Sequence, residues 1–498
     1  MKSRLPLSPS AAHDGALHWL LLAGVFAIAM ALRHSVAANT DVSWLLTVCE
    51  KVLKGQRLYT DIIETNPPIA MLAYLPSVML EHALGVRAEI ITDALVFVAV
   101  ALSMFVAARI VRCSTMFGSG DQWPLAIFCA AVLTIVPMQT FSQREHLAFV
   151  AFLPALAVLI LRAQNLRVPL WAVIAAGLGA GVTLMFKPYF ILGIGTGIIA
   201  AAACARSWRA LFAPENFVAA AMVAVYTASI YLFYPDYFTQ IYPLVRDVYL
   251  LFKRPMTEMV GSTGVLAWAV ALIVALLIKL PRKPDASATV LIAASIGFAA
   301  AYFLQRKGWA YQSYPMIALA LIALGYAIST LPGDANASRA ARIGGLGGLA
   351  GLFLLSLQWM NDASNARVLE EPVARLGPHP KLLMLSAEAS IGHPLVRAVG
   401  GEWVSRQQGL WVREFVKRLR SDHLVGAEQD EKLDAYAARE RAMLIEDIKK
   451  IPPTVVLVDN LLSDWGAWLR ADPELSELLK PYRLSQTVQH IDILKRAN

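Results

Sequence analysis

Apolar segments of a length suited to a bilayer recur from residue 16 to residue 360, with most charges confined to the joints between them. They fall near residues 16–37, 88–110, 123–140, 147–163, 168–186, 189–205, 214–234, 262–280, 287–304, 311–331 and 341–360. A span needs roughly 20 apolar residues, and a backbone in lipid must satisfy its own hydrogen bonds. The pattern therefore predicts an all-α polytopic membrane domain of about eleven transmembrane helices, residues 1–360. A chain that is 57% hydrophobic and 16% charged is not an ordinary soluble domain. The net charge of +8 fits basic loops rather than nucleic acid, because no Lys/Arg-rich run is interleaved with aromatics. Residues 17–32 read as an uncleaved anchor, although Ser35-Val36-Ala37 has the small residues of a signal-peptidase site. Cys49, Cys113, Cys129 and Cys204 have no metal spacing, and no disulfide is expected.

Topology turns on residues 68–84, which are short, contain Pro76 and end in Glu81-His82. If they lie flat on the outer surface, Arg109, Arg112, Arg162, Arg167, Arg206, Arg209, Lys279, Arg282, Lys283, Arg339 and Arg342 join Lys2 and Arg4 in the cytoplasm. If they cross, all but the N-terminal pair are exported, against the positive-inside rule. Residues 68–84 are therefore expected to be interfacial. The N-terminus is then cytoplasmic, and loops 38–87, 141–146, the turn at Lys187, 235–261 and 305–310 are external.

The tail changes character. LLMLSA (382–387), TVVLVD (454–459) and residues 483–495 look like strands, and 410–420 and 431–450 have charged helical spacing. Residues 361–498 are expected to form a small α/β domain on the external (periplasmic) side. No repeat of 20–50 residues and no matched pair of broken helices is visible.

The external loops hold the ionisable groups. Residues 41–55 read as an amphipathic helix stopped by Gly55, followed by Asp61, Glu64 and the extended Asn66-Pro67-Pro68. Charges near a membrane are costly unless partnered or functional. Carboxylates beside basic groups suit a reaction in which a hydroxyl loses a proton and a phosphate departs. Each residue has a plainer reading too. Asp41 can cap its helix, Asp61 can form a turn, Arg144 and Glu145 can pair, His146 can anchor a span and Lys187 can snorkel. Arg306 and Lys307 together suit a phosphate. No Walker loop, HExxH or GxSxG stands in a fitting context.

Taken together, Asp41, Gly55-Gln56-Arg57-Leu58-Tyr59-Thr60-Asp61, Asn66-Pro67-Pro68, Ser142-Gln143-Arg144-Glu145-His146, Phe186-Lys187-Pro188 and Arg306-Lys307-Gly308-Trp309 resemble the GT-C superfamily of membrane glycosyltransferases. The likeness is to bacterial relatives of the protein O-mannosyltransferases and of the lipid A aminoarabinose transferase, and it covers residues 15–330. It implies a hexosyl or pentosyl transferase that uses a polyprenyl-phosphate sugar donor and a cell-envelope glycan, lipid or protein acceptor. By carry-over, Asp41 is the general base and Glu145 a second acid, though some relatives place an aspartate a few residues later. Arg144, Lys187, Arg306 and Lys307 would bind the donor phosphate. Tyr59, Asp61, Asn66, His146, Tyr189 and Trp309 are substrate-site candidates. Some members use a divalent cation and others do not, so the resemblance leaves a cation open. Two other readings are a transporter or flippase of lipid-linked sugars, and a glycan ligase or polymerase on a related scaffold.

Overall fold

The computed structural model describes residues 9–116, 122–279, 285–331, 336–361, 365–422, 425–461 and 463–497. Lys2, Arg4, Arg282 and Lys283, used in the topology argument, lie outside them. The helices of the apolar region are α1 (Pro9–Ser35), α2 (Thr40–Leu53), α3 (Ile69–Leu72), α4 (Leu75–Leu84), α5 (Ala88–Val111), α6 (Trp123–Thr134), α7 (Arg144–Ala163), α8 (Leu170–Phe186), α9 (Ile191–Ala205), α10 (Pro214–Phe233), α11 (Thr263–Lys279), α12 (Ala286–Gln305), α13 (Ala310–Ser329) and α14 (Asn336–Met360). Each of the expected spans coincides with one of them. Among the described residues eight helices are long and apolar enough to cross a membrane, whereas α6, α8 and α11 are shorter. In the 123–140 segment α6 ends at Thr134, and a 3-10 turn, Met138–Thr140, follows Pro137.

The chain folds as two compact units. One comprises residues 1–36, 93–226 and 254–362; the other comprises 37–92, 227–253 and 363–498, so the boundary falls inside α5.

In the first unit α13 and α7 form the interior, 94% and 83% buried across their apolar windows, while α1 is 6% buried. A helix that is apolar all round can be enclosed by its neighbours, and one left uncovered presents the same surface to lipid. The α9–α12 contact depends on small residues. A Cβ at Gly297 would lie 2.1 Å from Thr196 Oγ1 and 2.3 Å from the Leu192 carbonyl, and one at Gly193 would lie 2.5 Å from the Phe298 ring. Backbones can approach this closely only where side chains are absent. Gly297→Val is therefore expected to destabilise the protein by about 1–3 kcal/mol or more, as overpacking does. Gly195→Val, where a Cβ would meet nothing within 4 Å, is the neutral control. Thermal unfolding in detergent that gave equal midpoints for the two variants would contradict this packing.

Several buried or half-buried charges in the first unit are partnered. Asp93 pairs with Arg33 Nε at 3.1 Å and accepts from Ser142 Oγ at 2.9 Å, while Arg33 Nη1 donates to the Met138 carbonyl. Arg162 meets Glu215 through two hydrogen bonds of 2.9 Å. Lys279 lies 2.5 Å from Asp285, which Tyr326 also reaches.

The second unit carries a five-stranded sheet: β1 (Lys381–Leu385), β2 (Glu402–Trp403), β3 (Val455–Asp459), β4 (Tyr482–Val488) and β5 (Ile491–Arg496), in the order β2-β1-β3-β5-β4. β2 and β3 run parallel to β1, and β5 runs antiparallel to β3 and β4. β1 and β3 are almost wholly buried, as expected of central strands with continuous Val/Leu runs. Between β2 and β3 lie two helices, α15 (Trp411–Ser421) and α16 (Ala427–Lys450). Leu444, Ile445 and Ile448 of α16 pack on Leu383, Leu385, Val456 and Val458 of the sheet. Leu244 and Val248 pack with Val412, Val416 and Leu419 of α15, which joins the 227–253 segment to this unit.

Candidate functional site

In the second unit, Asn39 caps α2. Its side-chain oxygen accepts from the Asp41 backbone N–H at 2.9 Å. The capping work therefore belongs to Asn39, and the Asp41 carboxylate in the first turn is left for other contacts. One of these is with Gln408, whose Nε2 donates to Oδ1 at 3.4 Å. Gln408 is brought there by the backbone: the Ile63 N–H donates to the Arg406 carbonyl at 2.7 Å, and Ile63 bridges Gln407.

The rest of the loop is a clasp. Glu64 is buried and accepts from Trp44 Nε1 at 2.5 Å, from the Asn66 N–H at 2.8 Å and from Asn66 Nδ2 at 2.5 Å. The Tyr59 hydroxyl donates to the Asn66 carbonyl at 2.7 Å, and Tyr59 itself has φ 73° and is fully buried. These bonds hold the turn ahead of Pro67-Pro68, where the prolines cannot donate. Asp61 accepts from the Arg57 N–H at 2.9 Å and faces the Arg57 guanidinium at 3.7 Å, which is a turn contact. His393 is enclosed between Trp44 and Trp403, and burial pushes its pKa down to about 3, so it is neutral.

In the first unit, Gln143 caps α7 through its side chain, which places Arg144, Glu145 and His146 in the first turn, all at most 5% exposed. An acid there complements the helix dipole. The partner of Glu145 is Lys187, 3.1 Å from Oε1. Apart from this buried ion pair, the Glu145 oxygens make no hydrogen bond among the described residues. A buried carboxylate in that state can accept a hydroxyl or share a cation. Lys187 ends α8, just before the Pro188–Phe190 turn that holds Tyr189. His146 uses both ring nitrogens: Nδ1 accepts from the Ser142 N–H, which leaves Nε2 to donate to the Leu133 carbonyl at 2.8 Å.

Arg306 is the left-handed cap of α12, and its Nε and Nη2 both donate to the Arg254 carbonyl. Lys307 is 3% exposed, and Trp309 precedes α13 and stacks on Tyr311. Among the described residues no group of three or more His, Cys, Asp or Glu is arranged as a metal site.

Reasoning from sequence missed three residues of the second unit. Arg397 pairs with Glu50, Glu81 and Glu89; Arg406 pairs with Asp447; and Gln408 contacts Asp41. No local pattern marks any of them, because their partners stand up to several hundred residues away.

No protein-family model matches the sequence, and no curated protein matches it. Solved structures do. ArnT from Cupriavidus metallidurans bound to undecaprenyl phosphate aligns with TM-score 0.58 at 14% identity, covering 97% of this chain and 98% of that one. Its apo state aligns with TM-score 0.57, also at 14%, over 96% and 98%. The cryo-EM structure of arabinofuranosyltransferase AftD from Mycobacteria overlaps at TM-score 0.48 and 13% identity, over 96% of this chain and 40% of that one, too low to bear on the fold. The ArnT likeness shows the architecture alone: a mostly helical fold with a small C-terminal sheet, shared along nearly the whole length of both chains.

Proposed function

We propose that this protein is a multi-pass membrane glycosyltransferase that moves one hexosyl or pentosyl unit from a polyprenyl-phosphate donor to a cell-envelope glycan, lipid or protein. The observation that carries the reading is the fold likeness along nearly the whole chain to ArnT, a structure bound to undecaprenyl phosphate. The buried Glu145–Lys187 ion pair, and an Asp41 carboxylate that is not the cap of its helix, support it. The proposed setting is a bacterial inner membrane, with the N-terminus cytoplasmic and residues 361–498 as a periplasmic domain.

In this reading Asp41 takes the proton of the acceptor hydroxyl, and the freed oxygen attacks the anomeric carbon. The bond from that carbon to the phosphate oxygen breaks, and the polyprenyl phosphate leaves with the electron pair. Fixed cations aimed at the departing phosphate lower the barrier because they need no reorganisation as charge develops. Lys187 and Lys307, with Arg144 and Arg306, are assigned that part. Glu145 holds Lys187 in place and is the residue that would share a divalent cation. Tyr59 and Asn66 shape the turn, and Asp61, His146, Tyr189 and Trp309 remain substrate-site candidates.

The test is transfer by the purified protein from a radiolabelled undecaprenyl-phosphate sugar. Lys187→Ala is expected to raise the KM for donor about tenfold or more, the scale of a lost charge-assisted contact, with the acceptor KM unchanged. The single change strands the buried Glu145, so Lys187→Ala with Glu145→Gln serves as the folded control. Donor dependence that stayed wild-type in both would remove Lys187 from the phosphate site.

A further inference from the structure

Within the second unit, α2 and the C-terminal residues surround a cavity of about 60 Å³, lined by Lys51, Gln56, Asp61, Arg406, Asp447 and Lys450. The lining charges are not equally engaged. The Arg406 N–H and Nε donate to Asp447 at 2.8 Å each, and Nη2 reaches Glu446 at 2.9 Å. Asp61 is committed to Arg57. Lys51 is different: it is only 7% exposed, yet its ammonium makes no hydrogen bond or ion pair among the described residues. Lys450, exposed at the end of α16, has no ion-pair partner among them either.

Charges taken out of water pair, coordinate or neutralise. Burial pulls the Lys51 pKa down to about 8, against the pull of Asp447, so the group is still mostly protonated at neutral pH. Asp447 and Glu402 act on Lys51 only through space, and the polar space its ammonium faces is larger than one water needs, so it has room for an anion. We propose that the cavity is a binding site for a phosphate-sized anion, with Lys51 as its buried ligand and Lys450 at its mouth. Lys51 is ten residues along α2 from Asp41, about 15 Å at 1.5 Å per residue, so this is not the place of the proposed proton transfer. Binding here does not depend on the glycosyltransferase reading. A phosphate monoester on a lipid and free phosphate offer the same chemistry.

The experiment is equilibrium dialysis of radiolabelled inorganic phosphate against the full-length protein in nanodiscs of zwitterionic lipid. Saturable binding is expected for the wild type and for Lys51→Arg, with a loss of about tenfold or more for Lys51→Gln, a difference of about 1.4 kcal/mol. Lys480→Gln, at an exposed lysine that pairs with Glu477 and does not line the cavity, should leave this binding intact. If Lys51→Gln does not fold, Lys450→Gln is read instead and should weaken phosphate measurably. Phosphate held equally by wild type, Lys51→Gln and Lys450→Gln, or no saturable binding by the wild type, overturns the proposal. Discs containing phosphatidic acid identify the source: competition indicates a lipid-borne phosphate, and undiminished binding a soluble one.

Discussion

Asp41→Asn is expected to reduce sugar transfer by about 10²–10⁴-fold, the range over which a positioned general base acts. The change is nearly isosteric, and the fold has little reason to respond. Asn39 caps α2, so the cap survives, and an asparagine oxygen can still accept from Gln408. What the fold loses is the carboxylate's interaction with the helix dipole, about 0.3–1 kcal/mol. Donor binding should also persist, because the cations assigned to the phosphate are elsewhere in the sequence. The matched control is Asp434→Asn, which removes from α16 an exposed charge paired with Arg420 and should leave turnover within a few-fold of wild type. Turnover of both variants is measured with the purified protein and a radiolabelled polyprenyl-phosphate sugar. Wild-type turnover by Asp41→Asn, or equal losses in the two variants, would take Asp41 out of the reaction.

The reach of sequence reasoning follows the range of the interactions involved. Spans are legible because their signal, a run of apolar residues as long as a bilayer is thick, is local. Central strands β1 and β3 are legible for the same reason, as short Val/Leu runs bounded by turns. The two-residue β2 is not, since two residues carry no periodicity. At the candidate site the residue types were visible and their partners were not. Arg144 and Glu145 are neighbours in sequence, yet the carboxylate's partner is Lys187, which arrives on another helix. Arg306 reads as a free cation, but the left-handed turn at the end of α12 directs its guanidinium to the Arg254 carbonyl. Glu64 reads as one more loop acid, yet it ties Trp44 to Asn66. A pattern shows which chemistry is present; only folding decides which groups neutralise one another.

The largest stability effect expected is at Arg397, where no pattern pointed. Its side chain is 6% exposed and meets three carboxylates: Glu89 through Nε at 2.7 Å, Glu81 through Nη2 at 3.3 Å, and Glu50 through Nη1. Burial alone would lower the Arg397 pKa, but Glu89 and Glu50 outweigh it and the guanidinium is held charged. Three acids crowded at one place tolerate each other chiefly because that buried cation sits among them; Glu89 also meets the more exposed Arg87 at 3.4 Å. Arg397→Leu should therefore cost about 3–5 kcal/mol, the penalty for leaving buried charge uncompensated rather than the net worth of the ion pairs. The pH dependence follows with a definite sign. Without the arginine, mutual repulsion raises the carboxylate pKa values in the folded state above their unfolded values. The folded variant then binds more protons than its unfolded chain, so its stability falls as pH rises through the carboxylate range and recovers as pH falls. The gap in thermal midpoint between variant and wild type should narrow from pH 7.5 to pH 5, and adding Glu89→Gln to Arg397→Leu should recover part of it at neutral pH. A variant as stable as wild type, or a gap that widens in acid, would mean that these carboxylates are already neutral and that the cluster is not what holds the first loop to the C-terminal sheet.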